Sequence, residues 1–365
     1  MLNPSAILDK VYRSRKLPAR FDGEIHTFDL DKTYLATEFE TLSGLVRIPF
    51  ESAEEKQNIP GAAALVREIR RGPKQDEGPT PLYFISGSPS QMEGVIREKF
   101  KLDGVTFDGI LFKDFTSALK RFKFRMIIDK IGYKLNALLY ARSTFPRKAD
   151  EVLYGDDSEY DATIYSLYSD ILAGRLEDFE VLTILKRWQI DRGELEKIRK
   201  SLTRLRQSGW KSRDAVKRIF IHLETGSSPA DYLTLTQKVT PTKNYFQTAI
   251  LLYQMQQISR AGLFRVISEL LRVYKFRMID FLASTEDLLS RRLIDRREAK
   301  KLLKIISKGN PLALPLQWLA DMRDQFSGII EEVNMMPPQL AGTNRKDKER
   351  PALDLYLKYT PKRRV

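Results

Sequence analysis

Asp29 and Asp31 lie two residues apart, with Thr33 two further on, just after the mostly apolar run from Ile25 to Phe28. Carboxylates held this close repel unless something positive lies between them. A divalent cation meets that need, and hard oxygen ligands beside a phosphate favour Mg²⁺. Further along, Ser86-Gly87-Ser88-Pro89 follows the run Leu82 to Ile85. A hydroxyl there, before a helix N-terminus, can hold a phosphate oxygen with help from backbone N–H groups. Ser86 is the better phosphate ligand, and Ser88 or Ser90 suits a helix cap. Lys134 sits in an apolar stretch with helical spacing, where its ammonium can neutralise carboxylates and a transferring phosphoryl group. Lys130, one turn earlier, is the competing lysine. Gly155-Asp156 follows the run Glu151 to Tyr154, and Asp161 comes shortly after. Asp156 is the stronger metal candidate; Asp161 is either a further ligand or the cap of a helix from Ala162 to Ala173.

The rest of the composition narrows the chemistry. Cysteine is absent and the only histidines are His26 and His222, so disulfides, thiolate nucleophiles and His-rich metal sites drop out. No apolar run approaches the ~20 residues of a membrane span. Carboxylate, lysine, hydroxyl and bound metal remain, in a chain whose default location is cytoplasmic.

The elements that must position these residues are readable. Glu24 to Phe28, Leu82 to Ile85, Phe107 to Phe112 and Glu151 to Tyr154 have the character of buried strands. Helical spacing over 61–71, 90–100 and 127–142 separates them, and Ile7 to Tyr12 suits a short helix. Alternation of strand and helix predicts α/β architecture, with chemistry at the carboxyl ends of a parallel sheet. From Leu176 onward the pattern turns helical, with segments expected over 177–189, 192–208, 213–222, 244–259, 261–281, 296–308 and 316–332. Asp191-x-x-Glu194 and Asp295-x-x-Glu298 suit helix starts. The expected division is a basic lead-in over 1–22, an α/β domain over 23–175, an all-α domain over 176–340, and a basic, disordered tail over 341–365. Residues 1–175 hold 26 Lys+Arg against 26 Asp+Glu, so the whole excess of +14 falls in the second half. A basic half suits an anionic partner. No nucleic-acid signature accompanies it, which makes nucleic acid the weaker partner.

Four stretches in order, Asp29-x-Asp31-x-Thr33, Ser86, Lys134 and Gly155-Asp156-x4-Asp161, resemble the haloacid dehalogenase (HAD) superfamily of phosphatases. Ile59-Pro60-Gly61-Ala62-Ala63 and Tyr83-Phe84-Ile85-Ser86-Gly87-Ser88-Pro89 sharpen the likeness to the phosphatidate phosphatase catalytic domain of the yeast actin-patch protein type. The resemblance covers roughly Glu24 to Ala173. Two positions depart from that family: Lys32 stands where a third acid is usual, and Tyr133 precedes Lys134 where a histidine is usual.

The resemblance implies a HAD-like Rossmannoid sheet and a Mg²⁺-dependent phosphomonoester hydrolase. Asp29 is then the nucleophile and Asp31 the general acid/base. Thr33, Ser86, Gly87 and Lys134 hold the phosphate. Asp29, the Asp31 carbonyl, Asp156 and Asp161 hold the metal. Phosphatidate leads as substrate, with the basic half adsorbing to an anionic membrane. The other readings are a phosphatase for a soluble phosphometabolite or phosphoprotein, and a helical interaction protein with an inactive HAD domain.

Overall fold

The computed structural model describes residues 10–13, 15–36, 52–74, 78–113, 123–158, 160–307, 317–318, 320–321, 324–325, 327–328 and 352–358. Residues 1–9 and 14 of the lead-in and most of the tail lie outside them. The chain divides into two compact units, each drawn from separated stretches. The first joins Met1–Gln57, Pro81–Pro241 and Asp347–Val365, and the second joins Asn58–Thr80 to Thr242–Lys346.

The first unit is built on a seven-stranded sheet. Its strands are β1 Lys10–Arg13, β2 Glu24–Asp29, β3 Leu82–Pro89, β4 Gly109–Lys113, β5 Asp150–Asp156, β6 Val216–His222 and β7 Val239–Thr242. Their order is β1-β4-β3-β2-β5-β6-β7. The run from β4 through β6 pairs parallel, whereas β1 pairs antiparallel with β4 at the edge. The chain leaves β2 toward β3 and β4, then returns to place β5 on the other side of β2. That reversal creates a crevice at the carboxyl ends of β2 and β5, where open α/β sheets bind ligands.

Both faces of the central strands are covered, which explains their near-continuous apolar character. Alternate side chains point to opposite faces. Ile25, Tyr83, Ile85, Leu111, Leu153, Ile219 and Ile221 share one core. That core also takes in the helices Lys123–Arg142, Asp161–Ala173, Asp178–Arg187 and Arg192–Gln207. The opposite face is aromatic: Phe28 stacks on Tyr154 with ring centroids 3.8 Å apart, and Phe84 meets Phe100 at 4.4 Å. Numbered in chain order over both units, α1 is Ala62–Arg71, α2 is Glu93–Leu102 and α3 is Lys123–Arg142. Then α4 is Asp161–Ala173, α5 is Asp178–Arg187 and α6 is Arg192–Gln207. Phe100 belongs to α2, so helices flank both faces.

Four expectations from the sequence are corrected. The described end of the expected helix 7–12 is strand β1, whose backbone hydrogen-bonds to β4. The segment 213–222 is the buried strand β6, not a helix, and carries the sheet well past residue 175. Its β-branched Val216, Ile219 and Ile221 favour extended backbone. The expected helix 261–281 is two helices, α8 Arg260–Arg272 and α9 Met278–Ser290, separated where Lys275 takes a positive φ of 56°. The tail contains a helix, α11 Ala352–Lys358, anchored by a fully buried Tyr356. The Tyr356 hydroxyl donates to Asp170 at 2.7 Å, and its carbonyl accepts from Trp188 at 3.1 Å.

Among its described elements the second unit is helical: α1, α7 Tyr245–Gln254, α8, α9 and α10 Arg296–Ser307. It draws α1 from early in the chain. Glu68 of α1 is almost fully buried and receives Arg265 of α8 through two contacts of 2.7 Å. Glu269 accepts the Ala64 backbone N–H at 3.2 Å, taking up one of the unsatisfied donors at the start of α1. Gly61 precedes that helix with φ +83°, and a Cβ there would lie 2.9 Å from Leu270. Asp295 and Glu298 form a reciprocal cap on α10, each backbone N–H donating to the other's carboxylate at 2.7 Å.

Candidate active site

The crevice gathers residues from β2, β3, α3, β5 and the start of α4. Asp29 ends β2 and Asp156 ends β5, side by side at the chain reversal. Asp29, Asp156 and Asp161 are fully buried, and one carboxylate oxygen from each lies within 4.8 Å of the others. Lys134, buried on α3, places its Nζ 3.0 Å from Asp29 Oδ1 and 2.5 Å from Asp161 Oδ1. The Lys130 side chain lies outside the described residues.

Three carboxylates and one ammonium give this buried group a net charge of −2 when all are ionised. Burying such an imbalance is costly unless a cation neutralises it. The donors are all hard oxygens, which suits Mg²⁺ and not a softer metal. The residues therefore fit the ion that the sequence led us to expect.

Asp161 stands in the first turn of α4, but the cap position is Tyr160, in the left-handed region with φ 63°. The Asp161 carboxylate faces the crevice, where Oδ2 accepts the Asp156 backbone N–H at 3.2 Å. Gly155 permits this approach: a Cβ there would lie 2.3 Å from Asp161 Oδ2. The glycine is thus required by a neighbouring carboxylate, a stronger constraint than the turn alone.

Asp31 follows β2 in a tight turn. Lys32 adopts φ 57° and its N–H donates to the Leu35 carbonyl at 2.8 Å. Thr33 is fully buried in the same turn. Across from it, Ser86 and Gly87 lie buried near the end of β3, and the Ser86 hydroxyl accepts the Ser88 backbone N–H at 3.1 Å. The Ser88 side chain does not cap a helix. Its hydroxyl donates toward Asp31, 3.1 Å from Oδ2 and 3.3 Å from Oδ1. Ser90 opens a 3₁₀ turn, and the cap position of α2 is Met92, without a side-chain cap. Ser88 is the site residue that sequence reasoning assigned elsewhere; its place two residues after Ser86 was the available signal.

Asp157, next to Asp156, organises the neighbouring rim. Its carboxylate accepts the backbone N–H groups of Thr225 at 2.8 Å and Ser227 at 3.0 Å, in the loop after β6. Burial, the largest single influence, works to raise its pKa; these donors outweigh it and hold the group below the usual aspartate range. Burial together with the nearby Asp161 charge pushes the Tyr165 phenol well above its ordinary value. Tyr165 therefore stays neutral there, and its hydroxyl donates to the Tyr154 carbonyl at 3.3 Å.

Residues 28–177 match the family model for the phosphatidate phosphatase APP1 catalytic domain. This is the family that the motifs resemble, and the match supports a phosphatase. It spans less than half of the chain and takes in every candidate site residue. Neither the comparison with curated proteins nor the comparison with solved structures gave a match.

Proposed function

We propose that the chain is a Mg²⁺-dependent phosphomonoester hydrolase of the HAD type, working through an aspartyl-phosphate on a phospholipid such as phosphatidate. The observation that carries this reading is the Lys134 ammonium, which lies between Asp29 and Asp161 beside Asp156 in a fully buried crevice.

In the proposed reaction the Asp29 carboxylate attacks phosphorus in line. The ester P–O bond breaks, and Asp31 gives its proton to the departing alkoxide oxygen. In the second half, Asp31 takes a proton from water as that water attacks the aspartyl-phosphate. Inorganic phosphate leaves and Asp29 is restored. Ser88 suits both states of Asp31, because a hydroxyl donates to a carboxylate and can accept from a protonated acid. Ser86, Gly87, Thr33 and Lys134 would hold the non-bridging oxygens, where positioning and charge supply most of the rate. Asp29, the Asp31 carbonyl, Asp156 and Asp161 would hold Mg²⁺, which when bound screens charge between nucleophile and phosphate.

The family match favours a lipid substrate over a soluble phosphometabolite or phosphoprotein, and a lipid substrate places the protein at an anionic membrane surface. The test is turnover of an aryl phosphate, followed by a screen across lipid, sugar, nucleotide and peptide phosphates. The expected result is Mg²⁺-dependent turnover, abolished in Asp29→Asn, with lipid phosphates preferred. An unaffected Asp29→Asn variant would overturn the mechanism, and a preference for soluble phosphates would overturn the substrate.

A further inference from the structure

We propose that the cationic face of α10 is the docking surface for anionic lipid headgroups. Arg296, Arg297, Lys300, Lys301 and Lys304 line one cleft of about 440 Å³. Arg297, Lys300, Lys301 and Lys304 are exposed and follow the i, i+3, i+4, i+7 spacing that puts them on one face. The opposite face is buried through Ala299 and Leu302. The acids nearest in sequence, Asp295 and Glu298, accept backbone N–H groups at the helix start and sit away from the middle of the stripe.

A stripe of cations fits any polyanion, and two observations favour a lipid surface. None of the five cleft residues is aromatic, so the cleft lacks the rings on which single-stranded bases commonly stack. The same unit also exposes two large apolar side chains among cations. Val273 is 64% and Ile279 56% exposed, in a segment that also exposes Arg272, Lys275 and Arg277. A bilayer interface accommodates that mixture of apolar and basic groups. Each cation near an anionic leaflet strengthens attachment by about fivefold, so four acting together give several-hundred-fold retention.

The inference rests on the lipid-substrate reading, and its test uses binding so that the two can fail separately. The full chain is sedimented with phosphatidylcholine vesicles, with and without phosphatidylserine. The combined variant Arg297→Gln, Lys300→Gln, Lys301→Gln, Lys304→Gln is run beside it, with thermal melting as the folding control. The expected result is binding of the parent chain only to the anionic vesicles, a loss of about fivefold per cation removed, and unchanged melting and aryl phosphate turnover. A variant that binds like the parent would overturn the assignment to α10 while leaving the lipid reading intact. A parent chain that ignores anionic vesicles would overturn the docking surface, while the lipid-substrate reading would be decided by the phosphate screen. Tighter binding to RNA than to these vesicles at the same salt would reassign the surface to nucleic acid.

Discussion

Lys134 Nζ lies 3.0 Å from Asp29 Oδ1, an ammonium held against the group proposed to attack phosphorus. It contributes positive charge where a phosphoryl group would arrive, yet it also competes for carboxylates that would bind metal. Lys134→Met should therefore separate two effects. Turnover should fall by about 10²–10³-fold, the scale for losing a positioned electrostatic group. Mg²⁺ should bind more tightly, because the site loses its resident cation. Steady-state kinetics and metal titration by calorimetry read the two quantities.

Ser88 donates to the carboxylate of Asp31, the group proposed to carry the proton. Ser88→Ala should lower kcat by about tenfold while leaving KM nearly unchanged, since one hydrogen bond to a charged group is worth about 1.5–3 kcal/mol. Ser88→Thr, which keeps the hydroxyl, should recover much of the loss. In an Asp31→Asn background the Ser88→Ala change should have little further effect, the signature of two residues acting as one unit.

Gly155→Ala places a methyl group 2.3 Å from Asp161 Oδ2 inside a packed crevice. Overpacking of this kind costs about 1–3 kcal/mol. A drop in denaturation midpoint should accompany a loss of activity. Adding Asp161→Gly should restore part of the stability and none of the activity, because it removes both the carboxylate and the Asp161 Cβ, itself 2.6 Å from the new methyl.

The pH dependence of Asp157 has a definite sign. Its folded pKa is lowered, so its contribution to stability is fully present above the ordinary aspartate value of about 3.9 and is lost as pH falls through the lower folded value. Asp157→Asn should cost about 1 kcal/mol at neutral pH, where one backbone N–H loses its charged acceptor. The difference between variant and parent should vanish at strongly acid pH, as followed by chemical denaturation. Its activity should change less than that of Asp156→Asn.

Chelation should abolish turnover and added Mg²⁺ should restore it. The same ion should raise the melting temperature, because binding to the folded state alone stabilises it by about 2.7 kcal/mol at a hundredfold excess over Kd. Asp156→Asn should weaken both responses in parallel.

Much of the candidate site was legible because its signals are local. Asp29 and Asp31 follow a recognisable strand, Ser86 lies near the end of another, and Asp156 ends a third. Parallel strands bring such ends together whatever the loops do. Lys134 was legible as a charge in an apolar helix. Ser88 was misread because a serine before a helix is so often a cap; only the position of Asp31 across the crevice reveals its other partner. Strand β6 was misread because a short apolar run does not distinguish strand from buried helix by periodicity. The tail helix escaped notice because one buried tyrosine amid Pro and charged residues leaves little pattern.

The pairing of Glu68 with Arg265 joins residues 197 positions apart in the chain. Helix α1 thus completes a unit whose other helices are made only after residue 242. During synthesis it must wait, its apolar side uncovered, until α8 has been made. Fragments cut between the strands of the first unit and the later helices would strand that amphipathic segment, and we expect them to aggregate where the intact chain folds.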